Sequence, residues 1–215
     1  RWVRIPYLSS FKDKDVKIFM EPVILASSSP RRQDILKLLH IPYQVIMPNI
    51  DETVSPSLPA EDVPEIFARE KVAAVVHSLA ADREIPWVLA ADTVIIFNNK
   101  IYGKPSDQEE ATAFLRELSG KTHTVKTVIA LYSDRTKTTV ARESVTEVTF
   151  KEMSEREIEW YVETGEWHGA AGGYRIQSLA SCFIKKIKGT TSGVEGLPIS
   201  ELYDILASQG YSIIE

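Results

Sequence analysis

The sequence predicts an α/β fold, a mixed twisted sheet with flanking helices. Strand-like and helix-like segments alternate through the first half, whereas paired β-rich segments follow one another in the second. That pattern favours a mixed sheet over a purely parallel one. No internal repeat, low-complexity tract or Pro/Gly-rich linker interrupts the chain after Met20. The 215 residues therefore read as one compact unit, long enough to form two intimately joined lobes.

Arg1 to Phe19 carries Lys12, Lys14 and Lys17 without a clear period and lacks the continuous apolar core of a secretory signal. It reads as an N-terminal extension, a tag remnant or an upstream translation, so residues 1–19 are set apart from a domain spanning 20–215. Pro22 to Ala26 is a buried strand. Ser27-Ser28-Ser29 before Pro30 is a helix start, since proline suits the first helical position. Ile35, Leu36, Leu38 and Leu39 supply that helix's apolar face, and His40-Ile41-Pro42 ends it. Tyr43 to Met47 is a second strand, followed by the loop Asn49 to Thr53.

Glu61 to Ala81 is a long helix, with apolar residues from Val63 to Leu79 at roughly helical spacing. Trp87 to Phe97 is a strand rich in β-branched residues, and Asn98-Asn99 turns it into Lys100-Ile101-Tyr102. Ser106 and Glu109 form a capping box for a helix ending at Gly120. Thr122 to Tyr132 and Thr138 to Lys151 form a hairpin around Ser133-Asp134-Arg135. Ser154 and Glu157 cap a helix running to about Thr164. Strands are expected at Tyr174 to Gln177 and Cys182 to Ile187, with a closing helix from Ile199 to Ser208.

Hydrophobic residues make up 44% of the chain and charged residues 26%, ordinary for a soluble globular protein. No apolar run approaches the roughly 20 residues of a membrane span. The single cysteine, Cys182, excludes an internal disulfide, and with four scattered histidines it offers no zinc-ligand spacing. A net charge of −5 argues against general attraction to nucleic acid. Binding a polyanion would need cations concentrated locally.

Arg31 and Arg32 stand at such a place. A helix N-terminus presents free N–H groups and the positive end of the dipole, and the serines add donors. Cations in a first turn oppose that dipole, a conflict that an anion between them would remove. Two solvated arginines after an ordinary serine cap explain this segment equally well. Asp92 interrupts an apolar strand, where a charge is costly unless paired or metal-bound. It could hold a metal or activate water; alone, it reads more readily as a strand-end turn cap.

Asp51 and Glu52 are hard oxygen donors suited to Mg²⁺ or Mn²⁺, although acidic loop pairs are more often merely solvated. Lys71 fits an exposed, salt-bridged helix face. Lys104, between Gly103 and Pro105, either points a cation at a fixed target or is a turn lysine. Gln177, with a donor and an acceptor, either reads a pyrimidine edge or sits on an edge strand. Trp160, Tyr161, Trp167 and Tyr174 read as core rather than as a base-stacking platform.

Taken together these segments resemble the Maf-like nucleotide pyrophosphatases, in the branch that prefers dTTP and UTP. The resemblance rests on Ala26-Ser27-Ser28-Ser29-Pro30-Arg31-Arg32, Arg69-Glu70-Lys71, Ala91-Asp92-Thr93, Gly103-Lys104-Pro105, Leu118 to His123, Ala171 to Gln177, and Gly196-Leu197-Pro198, in that order. It spans about Val23 to Leu206. It implies two lobes around a cleft, a fold similar to inosine-triphosphate pyrophosphatases, and a cytoplasmic enzyme. It also implies hydrolysis of a nucleoside triphosphate, including modified pyrimidine nucleotides, to monophosphate and pyrophosphate with a divalent cation. Asp92 matches the family's proton acceptor, and Arg32, Thr93 and Gln177 match positions linked to substrate choice. Ser27, Arg31, Lys71 and Lys104 match polar and cationic cleft positions, and Glu52 an acidic one that would share the metal with Asp92. A homodimer follows from family analogy only.

Three departures stand out. Ala170 occupies a position usually Lys or Arg, Ser178 replaces a common Gly, and Thr191 to Glu195 brings an acid near the cleft. The first would weaken phosphate affinity and the last would alter base preference. The rival from another class is a nucleotide-binding regulator of cell division with vestigial hydrolysis. A phosphatase releasing inorganic phosphate is a further enzyme reading.

Overall fold

Val23–Leu25 (β1) is buried at every residue, as a strand covered on both faces must be. In the computed structural model, which describes residues 20–55, 57–79 and 87–213, β1 pairs in parallel with Tyr43–Val45 (β2) and with Trp87–Phe97 (β3). The other pairings among the described residues are antiparallel: β3 with Lys100–Tyr102 (β4) and Thr122–Ser133 (β5), β5 with Thr138–Phe150 (β6), and β6 with Ile184–Lys188 (β7). The sheet is mixed and seven-stranded, in the order β2-β1-β3-β5-β6-β7, with β4 on the C-terminal end of β3. Asn98 and Asn99 both take positive φ, 50° and 58°, which a tight hairpin demands and asparagine tolerates.

Among the described residues, six α-helices flank the sheet: Pro30–Leu38 (α1), Val63–Ser78 (α2), Gln108–Leu118 (α3), Glu155–Glu163 (α4), Thr191–Glu195 (α5) and Ile199–Ser208 (α6). Alternation along β3 shows how they are distributed. Leu89 and Ala91 belong to a core cluster with α1 and α6, whereas Val88 and Ala90 pack with Ala68, Val72 and Val75 of α2. Further along, Ile95 joins a cluster built around α3 and α4, and Val94 joins Val63 and Phe67. Asp92 and Thr93 fall between these sets, one on each face. The apolar core thus breaks at the same point on both sides of the sheet. The cleft lies at that break.

Several expected elements shift. The box at Ser106 and Glu109 moves one residue on: Asp107 is the N-cap and accepts from the Glu110 N–H, while Glu110 accepts from the Ser106 N–H and hydroxyl. The Ser154–Glu157 box forms as expected. Tyr174 to Gln177 is not a strand. Gly172 and Gly173 take φ of 65° and 73° in a 3₁₀ turn over Ala171–Gly173, and a second turn covers Ile176 to Ser178. Leu179–Phe183 is also 3₁₀, which delays β7 to Ile184.

The short helix α5 was not anticipated; Thr190 caps it by accepting from the Gly193 N–H. The long helix begins at Val63 rather than Glu61, and its expected end at Ala81 lies outside the described residues, as does the segment 1–19. Leu38 and Trp160 are exposed rather than core, whereas Tyr161, Trp167 and Tyr174 are buried.

Candidate active site

The cleft at the break in the core has a volume of about 510 Å³. Ser27, Arg31, Arg32, Glu52, Lys71, Asp92, Thr93, Lys104 and Gln177 all line it. Side chains from separated segments therefore converge as the sequence pattern implies, although the same segments individually admitted blander explanations.

At its centre is Lys71. Residues 63, 67, 68, 71, 72 and 75 form the buried face of α2, so Lys71 extends from that face toward β3 instead of into solvent. Its ammonium donates to Asp92 Oδ1 at 2.6 Å and pairs with Glu52 Oε1 at 2.7 Å. The Lys71 and Asp92 side chains are 7% and 14% exposed, so this pair works at low dielectric, whereas Glu52 is half-exposed. Burial opposes ionisation of Glu52, but Lys71, Lys104 and Arg32 together hold its carboxyl below the usual range. Lys104 Nζ stands 3.9 Å from Glu52 Oε2 at the cleft mouth. Asp51 takes no part: its Oδ1 accepts from the backbone N–H and hydroxyl of Thr53, and it does not line the cleft. Of the two readings of Asp51, this geometry is that of a local loop acid.

On the other face of β3, Arg32 is clasped by three acceptors. Its Nε donates to Gly196 O at 2.8 Å, one Nη to Ser27 Oγ at 2.9 Å and the other to Thr93 Oγ1 at 3.4 Å. Thr93 in turn bonds Thr127, its cross-strand partner, whose hydroxyl donates to Gly193 O. Burial lowers the pKa of the Arg32 guanidinium, and Asp92 opposes that shift. Ser27, not the N-cap Ser29, organises the turn before α1, accepting from the Ser29 N–H as well as from Arg32. Gly196 closes this corner with φ of 103°, and a Cβ there would meet Thr93 Oγ1 at 3.1 Å.

The opposite wall contains a residue to which the sequence reading gave no role. Arg175 enters the cleft beside Arg31, while Glu195 lines it nearby. Arg31 donates to Gly169 O and Arg175 to His168 O. Burial, followed by Arg175, lowers the pKa of Arg31, whereas Glu195 acts in the opposite direction. Burial also pushes the Glu195 carboxyl up. The available signal was a lone arginine directly after Gly-Gly-Tyr, in a segment already singled out for Gln177. Gln177 itself stands exposed at the cleft's edge. Ala170 is fully buried and does not line the cleft.

A family model described as Maf-like protein matches residues 22–209. A dTTP/UTP pyrophosphatase of Pelotomaculum thermopropionicum is 40% identical over 195 residues, covering 91% of this chain and all of the relative. Proteins of the same description from Desulforamulus reducens and Escherichia coli O157:H7 are 42% and 41% identical, covering 91% and 88% of this chain and 100% and 93% of the relatives. The solved Staphylococcus aureus Ham1 protein overlaps 60% of this chain and 72% of its own at a TM-score of 0.42 and 18% identity. No helix among the described residues is long and apolar enough to cross a membrane. With the family model spanning nearly all of the domain and relatives aligned over most of their length, the chain belongs to the Maf-like protein family.

Proposed function

We propose that this chain hydrolyses nucleoside triphosphates between the α and β phosphates, releasing a monophosphate and pyrophosphate. The observation that carries the reading is Asp92, a carboxylate at the break in both cores, in a cleft lined by Arg31, Arg32, Lys71 and Lys104. With the N-terminus of α1, those four cations match a substrate carrying about four negative charges. Water attacks the α-phosphorus, the α–β bridging P–O bond breaks, and the water's proton passes to Asp92. Asp92 Oδ1 is engaged by Lys71, and Oδ2 has no hydrogen-bond partner among the described residues, which suits it to accept that proton. Lys71 holds the carboxylate in place. Charge stabilisation and positioning supply most of the acceleration in phosphoryl transfer.

A divalent cation, Mg²⁺ or Mn²⁺, is part of the proposal. Glu52 and Asp92 fit it, being hard oxygen donors close enough to share one ammonium. No cluster of three or more His, Cys, Asp or Glu side chains suited to a metal occurs among the described residues. Such an ion supplies charge neutralisation at the transferring group when bound.

Preference for dTTP and UTP is proposed on Arg32, Thr93 and Gln177, together with the dTTP/UTP pyrophosphatase activity by which the relatives are named. A cytoplasmic location and a homodimer, with no nucleic-acid partner, are proposed with it. The test is incubation with a panel of normal and modified triphosphates plus Mg²⁺ or Mn²⁺, with products identified. Pyrophosphate and monophosphate in equal amounts support the reading. Inorganic phosphate as the primary product points to a phosphatase, and binding without release points to the regulator.

A further inference from the structure

The cleft has two centres of charge. Asp92, Glu52, Lys71 and Arg32 form the first, and their charges act on one another. Arg31 and Arg175 form the second. Although Arg31 and Arg32 are adjacent in sequence, they diverge: Arg32 reaches Thr93 beside Asp92, and Arg31 reaches Gly169 on the opposite wall. Successive carbonyls, His168 O and Gly169 O, hold the two guanidiniums at 2.9 and 3.3 Å, so like charges are fixed side by side.

Glu195 lines the same cleft and acts on Arg31, but among the described residues no carboxylate comes within ion-pair distance of either guanidinium. Neither arginine has an ion pair among the described residues, and the buried Nε of each has no hydrogen-bond partner. Arg175 is also anchored through its backbone, whose N–H donates to the hydroxyl of fully buried Tyr161. Two fixed, unpaired guanidiniums in a cleft call for a ligand with several anionic oxygens. A pyrimidine, neutral and with only a few acceptors, would leave both charges uncompensated.

We propose that Arg31 and Arg175 form a second anion subsite that holds the phosphates beyond the scissile bond, with Arg175 as its unassigned binding residue. This rests on the pyrophosphatase reading for the identity of the scissile bond. The pair holds the leaving pyrophosphate and reads polyphosphate chain length.

The test uses the full chain with Arg175→Gln, which keeps a donor and removes the charge, and Arg175→Lys, which keeps the charge without the fork. Calorimetry with inorganic tripolyphosphate measures the subsite independently of turnover. Product inhibition by pyrophosphate and by the nucleoside monophosphate measures it during turnover. The expected result for Arg175→Gln is at least tenfold weaker binding of tripolyphosphate and pyrophosphate, with monophosphate inhibition changed less than twofold. Arg175→Lys should fall between that variant and the unsubstituted protein. Unchanged polyphosphate binding in both variants overturns the proposal, and so does a loss confined to the monophosphate, which would place Arg175 at the nucleoside. If the unsubstituted protein forms no pyrophosphate, the parent reading fails instead, and the tripolyphosphate arm still decides whether the subsite exists.

Discussion

Lys71 Nζ lies 2.6 Å from Asp92 Oδ1, so the cation that neutralises the proposed base comes from the core-facing side of α2. The same ammonium reaches Glu52. Replacing Lys71 with Met keeps the length and removes the charge, leaving two carboxylates facing each other. Turnover should fall at least about 100-fold. Stability should drop by roughly 2 kcal/mol, less than for a fully buried pair because Glu52 is half-exposed. Steady-state kinetics and urea unfolding check both effects.

Arg32 makes three directed hydrogen bonds that join α1, β3 and the turn at Gly196. An ammonium cannot reproduce that planar fork. Arg32→Lys should therefore lower kcat/KM about tenfold or more despite retaining the charge, a change equivalent to roughly 1.4 kcal/mol. The kinetics should be measured with both dTTP and a purine triphosphate, because the same residue is proposed to influence substrate choice.

Much of this site was legible in the sequence, but unevenly. The serine–proline–arginine turn and the interruption of an apolar strand by Asp92-Thr93 both have local physical meaning, and both stand in the cleft. Lys71 was harder to read because Arg69-Glu70-Lys71 looks like a charged helix surface. In fact Arg69 pairs with Glu65 on the exposed side while Lys71 turns inward. That difference depends on helix phase against β3, which composition does not reveal. Asp51 and Glu52 both offer hard oxygen donors, yet Thr53 two residues on engages the Asp51 carboxylate in a local turn. Tyr174 to Gln177 reads from sequence as a strand entered from a glycine turn. Instead, Tyr174 bonds His123, and two left-handed glycines precede it.

That bond motivates a prediction about stability and pH. His123 is buried among Phe150 and Tyr174, and burial pushes its pKa down to about 4. In the unfolded chain a histidine titrates near about 6.5. The unfolded state therefore binds the extra proton first. This contribution is fully present above about pH 6.5 and is lost as pH falls toward about 4, amounting to roughly 3 kcal/mol at most. Chemical denaturation from pH 7 to 4 should show that decline, and His123→Gln should flatten it.

Gly172 links this turn to the site. Its N–H donates to Gly103 O, next to Lys104, and a Cβ at φ 65° would approach Ile95 Cδ1 to 2.5 Å. Gly172→Ala should cost about 1–2 kcal/mol from backbone strain alone. It should also raise KM, because the turn carries Arg175. Thermal unfolding and kinetics on the same variant read the two effects separately.

The most direct test is Asp92→Asn, which keeps the shape and removes the carboxylate's capacity to take a proton. Turnover of dTTP or UTP should fall by at least about 1,000-fold while the nucleotide's dissociation constant, measured by calorimetry, changes only a few-fold. Turnover within tenfold of the unsubstituted protein would contradict the assignment of Asp92.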